Sequence, residues 1–201
     1  MMKIYRNISY TMFSNSFLLV NEETKEAAII DPSQKLIEFE NIIEKEELQV
    51  KKLLLTHGHY DHIGALYHYK EKYQAKIYAG QNEKRLLEDP NLNLSGSISV
   101  YCDGFLKEGD VLEDFDLKVL ETPGHTAGSI TFLGKEDMFV GDTIFQNSVG
   151  RWDLPTGNLD DLILSVRKLL LTDTKDIRIH SGHGPSTSKH YEREHNPFMK
   201  G

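Results

Sequence analysis

The sequence predicts a layered α/β fold. Three observations carry that prediction. Short apolar runs of strand length alternate with amphipathic stretches of helical period, the alternation occurs twice along 201 residues without a sequence repeat, and 39% of residues are hydrophobic, enough for a substantial core. Periodicity alone does not separate one twisted sheet from two sheets packed together.

Ser16 to Val20 and Ala27 to Ile30 read as strands, with Asn21-Glu22-Glu23-Thr24-Lys25 as the turn between them. Asp31-Pro32-Ser33 breaks the second strand and offers a helix start, and Leu36, Phe39, Ile42 and Ile43 follow at helical spacing. Val50 to Leu55 is a buried strand, Leu66 to Tyr73 a second helix and Ala75 to Ala79 another strand. In the second half, Phe115 to Leu120 alternates apolar and polar as a half-buried strand does. Ser129 to Leu133 and Met138 to Val140 are two more strands. Leu159 to Leu171 is a strong helix with Asn158 placed to cap it, Ile177 to Ile179 is a last short strand, and the charged segment Ser188 to Glu194 reads as a surface helix. No linker divides the chain, so one domain is expected over residues 1–201.

Composition narrows the chemistry. Lys plus Arg number 23 and Asp plus Glu 31, a formal net charge of −8 that disfavours nucleic acid as a partner. The amino terminus has no apolar stretch of secretory type, and the run Phe17 to Val20 is far shorter than a membrane span, so a cytoplasmic protein with no membrane partner is expected. Cys102 stands alone, which excludes an intramolecular disulfide and suits a reducing compartment; it reads as a small buried apolar group. Nine histidines stand against it.

Their placement is informative. His57-Gly58-His59-Tyr60-Asp61-His62 directly follows the buried strand, giving four potential ligands in six residues. His57 and His59, two apart in an extended loop, point their rings to one side, whereas Asp61 and His62 fall where a helix begins and face a second spot. Three further candidates, His125, Asp142 and His183, each follow a strand end. Neutral imidazoles with carboxylates suit zinc, iron or manganese. His68, His180, His190 and His195 lack such spacing and read as surface or supporting groups.

This pattern resembles the metallo-β-lactamase superfamily, over nearly the whole chain from Asp31-Pro32 to Pro197. The resemblance implies an αββα sandwich with the metal site at one edge of the two sheets. It implies that His57, His59 and His125 hold a first metal, that Asp61, His62 and His183 hold a second, that Asp142 bridges both, and that Asp31 is a buried aspartate supporting the site's loops. Gly141-Asp142-Thr143-Ile144-Phe145, Ser148-Val149-Gly150-Arg151-Trp152-Asp153 and the ending His195-Asn196-Pro197-Phe198 resemble the glyoxalase II-like branch, in its compact hydroxyacylglutathione hydrolase form. The C-terminal helical domain of full-length glyoxalase II is not expected in a chain of this length, and Trp152 stands where the branch commonly has threonine.

What the resemblance implies chemically is hydrolysis of a thioester such as S-lactoylglutathione by a hydroxide shared between two divalent ions, most simply zinc, with iron or manganese as alternatives. Asp61 and Asp142 would orient that hydroxide and accept its proton. Arg151 is the first candidate for binding an anionic substrate, ahead of Lys189 and Arg193, and Tyr60 for lining the pocket. The rival readings are an iron-dependent persulfide dioxygenase, which resembles the same branch, and a hydrolase of another ester or lactone. A secreted β-lactamase is disfavoured by the absent signal and cysteine ligand, and a ribonuclease by charge.

Overall fold

The computed structural model describes residues 2–172 and 175–199. In chain order the elements are β1 (Met2–Ile8), β2 (Asn15–Asn21), β3 (Glu26–Ile30), α1 (Ile37–Lys45), β4 (Gln49–Leu54), α2 (Tyr60–Ile63), α3 (Leu66–Tyr73), β5 (Lys76–Gly80), α4 (Lys84–Glu88) and β6 (Gly104–Leu106). There follow β7 (Val111–Leu112), β8 (Leu117–Glu121), β9 (Ile130–Leu133), β10 (Asp137–Gly141), β11 (Ile144–Phe145), β12 (Ser148–Val149), α5 (Leu159–Leu171), β13 (Arg178–Ser181), β14 (Thr187–Ser188) and α6 (Lys189–His195). The strands form two six-stranded sheets, ordered β1-β2-β3-β4-β5-β6 and β14-β13-β10-β9-β8-β7, with β11-β12 as a separate hairpin.

The period of two in the strands builds the layers. Along β2, Leu18 and Val20 face α1 and α3, packing with Phe39, Ile43, Leu66 and Tyr69, while Phe17 and Leu19 face the second sheet, packing with Leu117, Val119, Phe132 and Phe139. On the far side of the second sheet, Met138, Val140 and Ile179 pack against Leu162, Val166, Leu169 and Leu170 of α5. Three apolar layers between four structural ones make the αββα sandwich that the resemblance implies. Asn158 caps α5 as expected, accepting a hydrogen bond from the Asp161 amide at 3.1 Å.

Several elements differ from the sequence expectation. The helix after Asp31-Pro32-Ser33 starts only at Ile37, because Asp31 and Ser33 use their side chains elsewhere: Asp31 takes Thr56 and His62, and Ser33 takes Ser16. The strand expected from Phe115 begins at Leu117, since Phe115 closes a 3₁₀ turn and Asp116 takes a left-handed φ of 50°. The C-terminal helix is not simply a surface element. Glu192 and Lys189 are buried, and Glu192 accepts hydrogen bonds from the Asn147 amide, Thr187 Oγ1 and Asn196 Nδ2, tying α6 to the β11–β12 hairpin. The edge strands β1, β6, β7 and β14 are short or weakly patterned and have no apolar run to announce them. Among the described residues, no helix is long and apolar enough to cross a membrane.

Candidate metal centre

The ligand loops converge because of register. β3 and β4 are parallel with Ile30 beside Leu54, so Asp31 lies next to the chain that leads into Thr56 and His57. β10 and β13 are parallel with Gly141 beside Ser181, so Asp142 and His183 leave their strands at the same end. His125 comes from the loop between β8 and β9. All seven predicted ligands therefore meet at one edge of the two sheets.

They fall into two donor groups, His57-His59-His125 and Asp61-His62-His183. In the first, His125 Nε2 is 2.9 Å from His59 Nδ1 and 3.2 Å from His57 Nε2. A tetrahedral ion bound at about 2.0–2.1 Å separates neighbouring nitrogens by roughly 3.3 Å, so these spacings fit a divalent metal. In the second, His183 Nε2 is 3.1 Å and His62 Nε2 3.8 Å from Asp61 Oδ2. Asp142 lies between the two groups, its Oδ2 3.6 Å from both His125 Nε2 and His183 Nε2. His62 Nε2 and Asp142 Oδ1, both buried, have no hydrogen-bond partner among the described residues. Unpartnered buried atoms of this kind are rare without a ligand, and here they face a ready-made cation site.

The metal-free protonation states differ between the two groups. Burial, reinforced by His62 and His125, drives His57 well below its usual value, and burial with the neighbouring His125 brings His59 down to about 3, so both rings are neutral with free lone pairs. Burial opposes the charged form of His62, yet Asp61, Asp142 and Asp31 outweigh it and hold that ring up to about 10. Burial likewise opposes ionised Asp61, but His62 and His183 pull its carboxyl far below the usual range. The second group thus carries the compensating charge that a cation would replace.

Supporting contacts fix each ring. Asp31, at a left-handed φ of 49°, accepts from the Thr56 amide and Thr56 Oγ1 and faces His62 Nδ1 at 3.0 Å. Asp31 also lies within ligand range of His57 and His62, but with its oxygens so occupied it orients rather than binds. His125 Nδ1 donates to the Arg151 carbonyl at 2.7 Å. At Gly182 a Cβ would stand 2.1 Å from Asp142 Oδ1, so only glycine lets this loop close on the site. At Gly58 a Cβ would collide with Leu86 and Leu87.

The remaining candidates divide. Tyr60 is half-exposed beside the ligands. The Arg151 guanidinium makes a bidentate pair with Asp153 at 2.9 and 2.8 Å, so it is the backbone of this residue that reaches the ligands. Trp152 packs edge-on against Phe198. His180 is buried away from the site between Asp137 and Ser186, stacked on Phe139, whereas His68 pairs with Glu40. Sequence reasoning missed Thr56, Ser14, whose hydroxyl holds the Asp61 carbonyl, and Asn15, which binds the carbonyls of Ser181 and Gly184. The polar run Ser14-Asn15-Ser16 at the head of an apolar strand is the one local sign of them. It also missed Glu83, fully buried behind the ligand loops and pushed up to about 7 by burial.

Comparison with known proteins agrees with this fold. The family model described as metallo-beta-lactamase superfamily matches residues 10–183. Hydroxyacylglutathione hydrolase GloC of Haemophilus influenzae is 36% identical, over 96% of this chain and 96% of its own. Among solved structures, the B3 metallo-beta-lactamase BLEG-1 superposes with a TM-score of 0.90 at 31% identity, covering 99% of this chain and 100% of its own. TTHA1623 in a di-iron-bound form superposes with a TM-score of 0.82 at 30% identity, covering 96% and 99%.

Proposed function

The chain belongs to the metallo-beta-lactamase superfamily, and on that premise we propose that it is a binuclear hydrolase of small thioesters, glyoxalase II-like, acting in the cytoplasm on a substrate such as S-lactoylglutathione. The observation that carries this reading is the position of Asp142, its Oδ2 equidistant at 3.6 Å from one imidazole of each donor group. Two divalent ions, most simply zinc, would supply Lewis acidity there and would lower the pKa of a bound water toward ~7.

The chain's own residues do the rest. His57, His59 and His125 would hold one ion through ring nitrogens, Asp61, His62 and His183 the other through a carboxylate and two imidazoles, and Asp142 would serve both through its carboxylate. Asp61 and Asp142 orient the attacking water, and Asp142 accepts its proton. The carbonyl carbon gains the water oxygen, the C–S bond breaks, and the departing thiol, with a pKa near ~8.5, needs no side-chain acid. Tyr60 lines the approach, and Arg151 contacts a substrate carboxylate after exchanging its Asp153 partner. Similarity to GloC supports the thioester substrate. The di-iron state of TTHA1623 supports a test of iron loading, and with it of the alternative activities on persulfides, esters or lactones.

The test is metal quantification followed by turnover on a panel of thioesters, lactones, β-lactams and glutathione persulfide. Two metal ions per chain and thioester cleavage without oxygen uptake, abolished in Asp142→Ala, is the expected result. One iron per chain with oxygen consumed on the persulfide, or cleavage confined to β-lactams or lactones, overturns the proposal.

A further inference from the structure

The two loops that form the first donor group come from different sheets. His57-Gly58-His59 follows β4 of the first sheet, and His125 lies in the loop between β8 and β9 of the second. One backbone hydrogen bond, from the Ile130 amide to the Thr56 carbonyl at 2.9 Å, joins the two sheets at the base of these loops, but the loops beyond it must still hold three imidazole nitrogens to within tenths of an ångström for one ion.

Glu83 spans that gap. It sits in the 3₁₀ turn Gln81–Glu83 after β5 and is wholly buried. Its Oε1 accepts the Gly58 amide at 2.8 Å, at the centre of the first loop. Its Oε2 accepts Thr126 Oγ1 and the Gly128 amide, both at 2.9 Å, in the second loop. The second loop also rests directly on the backbone of the turn, since a Cβ at Gly128 would lie 2.1 Å from the Glu83 nitrogen. Thr126 in turn shares a 2.7 Å contact with Ser129 Oγ at the head of β9. One carboxylate thus joins the residue between His57 and His59 to the residue after His125, without touching any of the three rings.

We propose that Glu83 is the positioning residue of the first metal site: it sets the distance between the two loops, and so the affinity and geometry of the His57-His59-His125 group, while leaving the second group to Asp31 and Asn15. The inference rests on the two-group reading of the ligands but not on the substrate, because it concerns metal binding without turnover.

Glu83→Gln separates positioning from bulk. The amide keeps the size and the Gly58 contact, but its NH₂ meets the Gly128 amide donor to donor. Thr126→Val, which removes one arm only, serves as the second variant should Glu83→Gln fail to fold. Each is made in two backgrounds, Asp61→Ala/His183→Ala to leave the first site and His59→Ala/His125→Ala to leave the second. Cobalt(II) is then titrated into metal-free protein, with chelator competition and the visible absorption band as readouts. Two cobalt ions bound by the unmodified chain establish the premise, and fewer would refute that premise rather than the role of Glu83. The expected result is a 10–100-fold loss of cobalt affinity and an altered band at the first site, at least tenfold larger than any loss at the second. A general structural role would weaken both sites alike, so any smaller difference between the sites, including none, overturns the proposal.

Discussion

Replacing Asp31 by asparagine isolates the electrostatic part of the support behind the second donor group. Asparagine keeps the volume and is among the few residues that tolerate the left-handed φ of 49° found here, so the backbone is not the variable. What changes is one atom. Asp31 Oδ2 faces His62 Nδ1 at 3.0 Å and accepts Thr56 Oγ1 at 2.6 Å. With Oδ1 retained on the Thr56 amide, the new Nδ2 presents hydrogens to both former donors. His62 can answer only by placing its proton on Nε2, the atom that faces Asp61 and Asp142 and that must be bare to bind metal. A hydrogen bond to a charged buried group contributes about 1.5–3 kcal/mol. At ~1.4 kcal/mol per factor of ten, its loss lowers affinity for the ion held by His62 by roughly 10–100-fold. Chelator competition against the zinc-loaded protein measures this directly, with circular dichroism of the metal-free variant as the check on folding. One weakened zinc of two in a native-like fold is the expected outcome. Wild-type affinity for both ions would show that the tautomer of His62 is not set by Asp31.

Three other outcomes are expected. Gly182→Ala places a methyl 2.1 Å from Asp142 Oδ1 and 2.8 Å from His62 Cε1, so metal content at the second site and turnover both fall at least tenfold while thermal unfolding stays cooperative. Arg151→Ala raises KM for glutathione thioesters more than for uncharged thioesters; equal change in the two would assign the guanidinium to its Asp153 pair alone. Cys102 is pushed up to about 12 by burial, with Asp103 adding to it, so at neutral pH its thiolate is scarce; alkylation by iodoacetamide is about a thousandfold slower in native than in unfolded protein and rises steadily with pH up to ~11.

What the sequence reveals of this molecule follows from how local each feature is. The inner strands are legible because both faces are buried. Phe17-Leu18-Leu19-Val20 serves two apolar layers at once and therefore carries an uninterrupted apolar run. β1 and β6 lie at sheet edges with half their side chains in solvent, and the pattern that would announce them is diluted. The choice between one sheet and two depends on which strand faces which, a long-range matter that period alone does not encode.

The site divides by the same rule. A metal ligand needs a particular side chain at a fixed distance from a strand end, so His57, His59, Asp61, His62, His125, Asp142 and His183 are readable one loop at a time. A supporting group needs only a donor or acceptor brought close by the completed fold. Glu83 lies 25 residues from Gly58 and 45 from Gly128, with each of its contacts made to backbone or to a hydroxyl. Nothing in Gln81-Asn82-Glu83-Lys84 distinguishes it from a solvated turn. Arg151 shows the converse. Its charge drew attention to the side chain, whereas the fold sets its carbonyl against His125 Nδ1, and a carbonyl carries no residue identity. Substitutions at Arg151 are therefore tolerated by the metal centre as long as the backbone path through Gly150 is kept, where a Cβ would stand 1.9 Å from the Asp142 carbonyl oxygen.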